Sequence, residues 1–271
     1  MSNNAYTVRE NLNEFEESVL GDLNQGYDLV DVAYGDGRWV GTYQDTPGNT
    51  GFSSASSVSE LEQTVQQAWN QGYSLTDVEY GDGVWFGTFE QDSGANAYST
   101  STSLTELTED ISGRWNQGYE LVDVEYGDGI WFGTYRDVPG SNGYSSASSI
   151  DEFKQDISQM WDKGYDLVDV EYGDGIWFGV FQDDSSITSG YITASTFDGL
   201  AEGISEDWGE GYELVDIEYG DGIWLGTVEK EIYTPSYSDF GLEMLRLQME
   251  HDMQMDAIQM MSDVIADTKY A

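Results

Sequence analysis

The chain has 271 residues, long enough for one large domain or two ordinary ones with a sizeable core. Its formal charge of -43, from 52 acidic and 9 basic residues, repels nucleic acid and anionic membranes and attracts basic partners and divalent cations. The absence of cysteine excludes disulfides and thiol chemistry, and an aromatic content of 14% is too high for a disordered chain.

The chain opens on "MSNNAYTVRE", with no basic or apolar stretch of a secretory signal. No run of about 18 apolar residues follows, so no membrane span is expected and the expected location is cytoplasmic. From here on one unit recurs. "VAYGDGRWVG" begins at Val32 and "VEYGDGVWFG" at Val78, "VEYGDGIWFG" spans 124–133 and 170–179, and "IEYGDGIWLG" begins at Ile217. The motif aspartates Asp36, Asp82, Asp128, Asp174 and Asp221 are spaced by 46, 46, 46 and 47 residues. A period this constant predicts a repeat architecture, with five copies between residues 5 and 228.

The fourth copy serves as the type. "GYSSASS" (143–149) reads as a strand. Ile150, Phe153, Ile157 and Trp161 then follow at the spacing of an amphipathic helix. Ser149 with Glu152 is a capping box, repeated by Ser57 with Glu60 and Ser103 with Glu106, and varied by Asn11 with Glu14. Gly164 and its counterparts Gly26, Gly72, Gly118 and Gly211 stand where a helix ends on a left-handed glycine. "YDLVDVEYGDGIWFGVFQ" reads as a hairpin turning on Asp174-Gly175 in type I′ geometry. Each copy is therefore β-α-β-β.

Turning there sets Tyr172 opposite Trp177, Val170 opposite Gly179 and Val168 opposite Phe181, an apolar face for the helix. The glycine opposite Val170 makes room for the tryptophan or for the helix. The other face carries Asp169, Glu171, Ile176 and Phe178. If it lines a central channel, Asp31, Asp77, Asp123, Asp169 and Asp216 form one ring there. Glu79, Glu125, Glu171 and Glu218 form a second, broken at Ala33. Stacked like charges need bound cations or raised carboxyl pKa values. Asp77, Glu79, Asp123, Glu125, Asp169, Glu171, Asp216 and Glu218 are thus candidate Ca²⁺ ligands, although the spacing matches neither the EF-hand loop nor the Ca²⁺-binding nonapeptide repeat. Phe86, Phe132 and Phe178 lie on the same face, and either bind a partner or fill contacts between repeats.

After Val228 the repeat stops. Residues 229–239 read as a linker with a proline, and 240–271 as a Met-rich segment with an amphipathic helix over about 242–268. Leu245, Met249, Met253, Met260 and Val264 lie on its apolar face and are candidates for binding a partner or a second copy, which makes a homo-oligomer the expected state.

Five β-α-β-β units resemble, in order and number, the α/β propeller of the pentein superfamily. The resemblance implies an α+β fold closed into a pseudo-fivefold toroid, with the C-terminal helix appended. An open solenoid is the alternative, and spacing alone does not separate ring from arc. Catalytic penteins use Cys and His, which the resemblance would require here; the chain has no Cys, and its one His is His251 in the tail. "WDKGYDLVDVEY" (161–172) is similar to a repeat of unknown function that follows the kinase domain of plant casein-kinase-like proteins. That likeness covers nearly all of residues 5–228 and implies an accessory role; the acidic "YGDG" turn departs from it, and no kinase motif is present. The function expected is a non-catalytic acidic interaction or assembly scaffold without a cofactor. A Ca²⁺-binding protein is the alternative, and an enzyme with a carboxylate-based site comes third.

Overall fold

The computed structural model describes residues 4–45, 49–91, 94–138 and 141–232. The described part is α+β, with five three-stranded antiparallel sheets and five helices. Repeat 1 comprises β1 (Asn4–Arg9), α1 (Leu12–Leu23), β2 (Asp28–Gly35) and β3 (Arg38–Gln44). Repeat 2 comprises β4 (Thr50–Ala55), α2 (Val58–Trp69), β5 (Tyr73–Gly81) and β6 (Val84–Gln91). Repeat 3 comprises β7 (Asn96–Ser101), α3 (Leu104–Trp115), β8 (Glu120–Gly127) and β9 (Ile130–Arg136). Repeat 4 comprises β10 (Asn142–Ala147), α4 (Ile150–Trp161), β11 (Asp166–Gly173) and β12 (Ile176–Gln182). Repeat 5 comprises β13 (Ile187–Ala194), α5 (Phe197–Glu210), β14 (Glu213–Gly220) and β15 (Ile223–Glu231). In each sheet the last strand lies between the other two.

The first strand begins at Asn4 and the last ends at Glu231, so Glu229–Glu231, read above as linker, belong to β15. The described residues up to Glu231 form one compact unit. The expected helix over 242–268, with Leu245, Met249, Met253, Met260 and Val264, lies outside the described residues. Among the described residues no helix is long and apolar enough to cross a membrane.

The local signals act as their chemistry predicts. The hairpin turns hold Asp174 at φ 50° and Gly175 at φ 77°, and the other four copies repeat these values closely. Asn11, Ser57, Ser103 and Ser149 each accept the backbone N–H three residues on, at 2.9 to 3.3 Å. The box closes one residue early: the Glu60 carboxylate reaches back to the N–H and hydroxyl of Ser56, not to Ser57.

One register expectation is corrected. Tyr172 does pair with Trp177 and Val170 with Gly179, but Phe181 pairs with Leu167. A β-bulge between Leu167 and Asp169 leaves Val168 as the extra residue. The same bulge recurs in all five repeats. It puts the leucine in the core under the helix, where Leu167 is fully buried beside Phe153 and Ile157. Gly179 makes room for that helix: a Cβ there would stand 2.7 Å from the Phe153 ring.

Candidate functional site

The motif residues left without a folding role meet at the junctions between repeats. Phe86 packs against Phe15 and Trp39 of repeat 1, Phe132 against Trp85 of repeat 2, and Phe178 against Trp131 of repeat 3. All three phenylalanines are fully buried. The expectation that they bind a partner is therefore corrected in favour of its alternative, contacts between repeats. Leu225 packs into the core of repeat 4, and Val40 with Ala33 packs into the core of repeat 5. Aromatics that sequence reasoning passed over complete these joints. Phe52, Tyr98 and Tyr144, from the first strands, stack on Phe86, Phe132 and Phe178 with ring centroids 5.1 to 5.3 Å apart. Their signal was a recurrent aromatic ahead of the small residues of "GYSSASS".

The first glycine of "YGDG" also belongs to the junction. Gly173 lacks the positive φ of Asp174 and Gly175. A Cβ on it would sit 2.2 Å from Cβ of Tyr126, one repeat back. Gly81 meets Tyr34, Gly127 meets Tyr80 and Gly220 meets Tyr172 in the same way, and Gly35 of repeat 1 meets Tyr219 of repeat 5.

The acids are buried as well. Asp31, Asp77, Asp123, Asp169, Asp216, Glu79, Glu125, Glu171 and Glu218 are all between 4% and 8% exposed. The structure brings the two predicted sets together, and it gives most of these acids, though not Glu79, work in a junction. The Val32 N–H donates to Oδ2 of Asp77 at 3.2 Å and the Val124 N–H to Oδ2 of Asp169 at 3.2 Å. The Ile217 N–H of repeat 5 donates to Oδ2 of Asp31 in repeat 1 at 3.1 Å. The N–H groups of Val78 and Val170 favour the charged forms of Asp123 and Asp216. One layer along, the N–H groups of Tyr80, Tyr126 and Tyr172 donate to Glu125, Glu171 and Glu218 at 3.0 to 3.2 Å. Ala33 offers no such acceptor to repeat 5. Each aspartate also faces a residue of its central strand. Thr88, Thr134 and Thr227 donate their hydroxyls to Asp77, Asp123 and Asp216 at 3.0 to 3.3 Å. Val180 replaces the threonine opposite Asp169, and Thr42 opposite Asp31 is buried with its hydroxyl unpartnered.

The charged groups that act most strongly on these acids are one another. Burial first, and neighbouring carboxylates second, push Asp31, Glu79, Asp169 and Glu125 well above the ordinary carboxyl range. Burial raises Asp77 to about 7 although the Thr88 hydroxyl and two backbone N–H groups oppose it. Burial also raises Asp216 and Glu218 to about 8. Burial and then the Glu218 carboxylate push Glu171 well above the ordinary carboxyl range, against the opposing effect of Glu125 and the Tyr126 N–H. Among the described residues no three acidic or histidine side chains stand where they could jointly hold a metal ion. The arrangement binds protons and ties neighbouring repeats.

No protein-family model matches the chain, and no curated protein matches it at a significant level.

Proposed function

We propose that this chain is a non-catalytic interaction scaffold of the cytoplasm, in which five repeats close into a pseudo-fivefold toroid and present an acidic exterior to basic protein partners. The observation that carries this reading is the use made of the repeated motif. Its Tyr, first Gly, Glu and Phe, with the Asp just ahead of it, all end in contacts between successive repeats. Closure is supported by Ile217 to Asp31 and Gly35 to Tyr219, where repeat 5 treats repeat 1 as each repeat treats its successor. What remains outward is acid-rich helix surface, and the first 238 residues hold 45 acidic and 7 basic side chains. The likeness to a repeat appended to kinases points the same way, to an accessory that binds and does not react.

The Met-rich tail is proposed to drive self-association or recruitment. Light scattering on the full chain and on a 1–232 truncation tests this. The proposal expects an oligomer that becomes a monomer on truncation; equal masses for the two chains would remove the tail from assembly.

A second reading, divalent-cation binding by the buried acids, is favoured by their mutual repulsion, which a cation would relieve once the side chains moved to hold it. A cation that binds only the folded form stabilises it by mass action. Millimolar Ca²⁺ should then raise the melting temperature above that in EDTA, and an unchanged melt removes this reading.

A further inference from the structure

In repeat 3 the outer strand β7 pairs on one side only, with β9. Backbone groups on an antiparallel strand alternate between its two sides. The Asp137 N–H donates to Ala95 O at 2.9 Å, which assigns the odd-numbered residues to the β9 side. The Arg114 guanidinium donates to Tyr98 O at 2.9 Å from the other side, which assigns the even-numbered residues to the open edge. The N–H and C=O groups of Tyr98 and Thr100 therefore face away from the sheet. Where the same edge begins in repeats 4 and 5, side chains of the preceding repeat cover it: Glu120 accepts the Asn142 N–H and Asp166 the Ser189 N–H. Further along β7 the edge opens into a cleft of about 530 Å³. It is lined by residues 96–100 of β7, by Gln66 and Trp69 of the preceding helix, and by Arg114 and Tyr119.

We infer that this cleft is a docking groove for an extended, basic peptide segment of a partner protein, added as a further strand on the edge of β7. The backbone chemistry specifies an extended segment: an open strand edge offers donors and acceptors in the pattern that another strand satisfies. Arg114 engages the Tyr98 carbonyl without exhausting it, since a carbonyl oxygen has two lone pairs. Charge specifies a basic segment. Glu62 acts on Tyr98 from the preceding helix, and Asp110 lies on α3 where it accepts the Ser101 hydroxyl. The cleft belongs to a chain of formal charge -43. The Arg114 cation also lines the cleft, but its guanidinium is already engaged by the Tyr98 carbonyl and by the Tyr135 ring, whose centroid is 5.7 Å away.

The inference rests on the acidic-scaffold reading, and its test separates the two. The full chain is titrated with an eight-residue peptide of alternating lysine and valine, followed by amide NMR. A second peptide has the same sequence with alternate backbone nitrogens methylated, so that its charge is kept and its donors on one edge are lost. The expected result is that the Tyr98 and Thr100 amides shift and become protected from exchange, and that methylation weakens binding at least ten-fold. Thr100→Pro removes an edge N–H without breaking a bond to β9, and should weaken the unmethylated peptide to a similar degree. Equal binding of both peptides, or shifts spread over the helices, overturns the groove and leaves the acidic scaffold standing. Failure of both peptides to bind overturns both. If Thr100→Pro fails to fold, the methylated peptide alone decides.

Discussion

The "YGDG" tetrapeptide contains two glycines with unrelated duties. The second, Gly175, takes the positive φ of the turn. The first, Gly173, takes the side chain of Tyr126 from the repeat before. Substituting it forces backbone and tyrosine apart, so Gly173→Ala should cost about 1–3 kcal/mol, the usual range for overpacking. Gly113, inside α3, has nothing within 4 Å of an added Cβ. Gly113→Ala should instead stabilise by about 0.5–1 kcal/mol through helix propensity. Denaturant melts of the two variants check this pair of opposite signs. The turn glycine was legible in the sequence because Asp-Gly between two β-rich runs is a local signal. The packing glycine was not, because its partner lies a whole repeat away. The same distance left Phe178 open, from sequence alone, between binding a partner and filling a contact between repeats.

The helices and hairpins are local devices, and most were legible. The apolar spacing of α4 and the Ser149 cap required no knowledge of the neighbours. The bulge was missed because Val168 is a good strand residue and nothing in its identity marks it as extra; only the requirement that both Leu167 and Val170 reach the core reveals it. The junctions are where the elements gain their stability. Phe178 fills the core of repeat 3 from repeat 4, and Phe178→Ala should cost about 3–5 kcal/mol. An isolated repeat should accordingly fail to fold, because its apolar faces are completed by residues from its neighbours. Circular dichroism of residues 141–186 alone checks this: a cooperative melt would show that the junctions are dispensable.

The inner acids make the molecule sensitive to pH as a unit. Asp77 titrates at about 7 and Asp216 and Glu218 at about 8 in the folded state, whereas carboxyls in an unfolded chain titrate near about 4. Between those limits the native core holds protons that the unfolded chain has lost. Raising the pH therefore favours unfolding: the stabilisation is complete below about pH 4 and is lost as the pH climbs through the folded values. Ordinary surface acids have finished titrating by about pH 6, so the loss from about pH 6 to about pH 9 reports the core. Denaturant unfolding across that range should show falling stability, and Glu171→Gln, which cannot ionise, should flatten the fall. Stability that rises with pH would contradict the protonated core. The two acid layers and their break at Ala33 were legible in the repeat spacing. Their bonds to the preceding repeat's backbone were not, because N–H groups leave no trace in side-chain identity.

The central claim is that repeat 5 joins repeat 1 as the others join their successors. Its most direct test is amide hydrogen exchange at Ile217, whose N–H donates to the Asp31 carboxylate. With the junction formed, Ile217 should be protected to the same degree as Val32 and Val124, which make the equivalent bonds to Asp77 and Asp169. An Ile217 amide that exchanges like an exposed strand edge, while Val32 and Val124 stay protected, would show an open arc of five repeats and contradict the account.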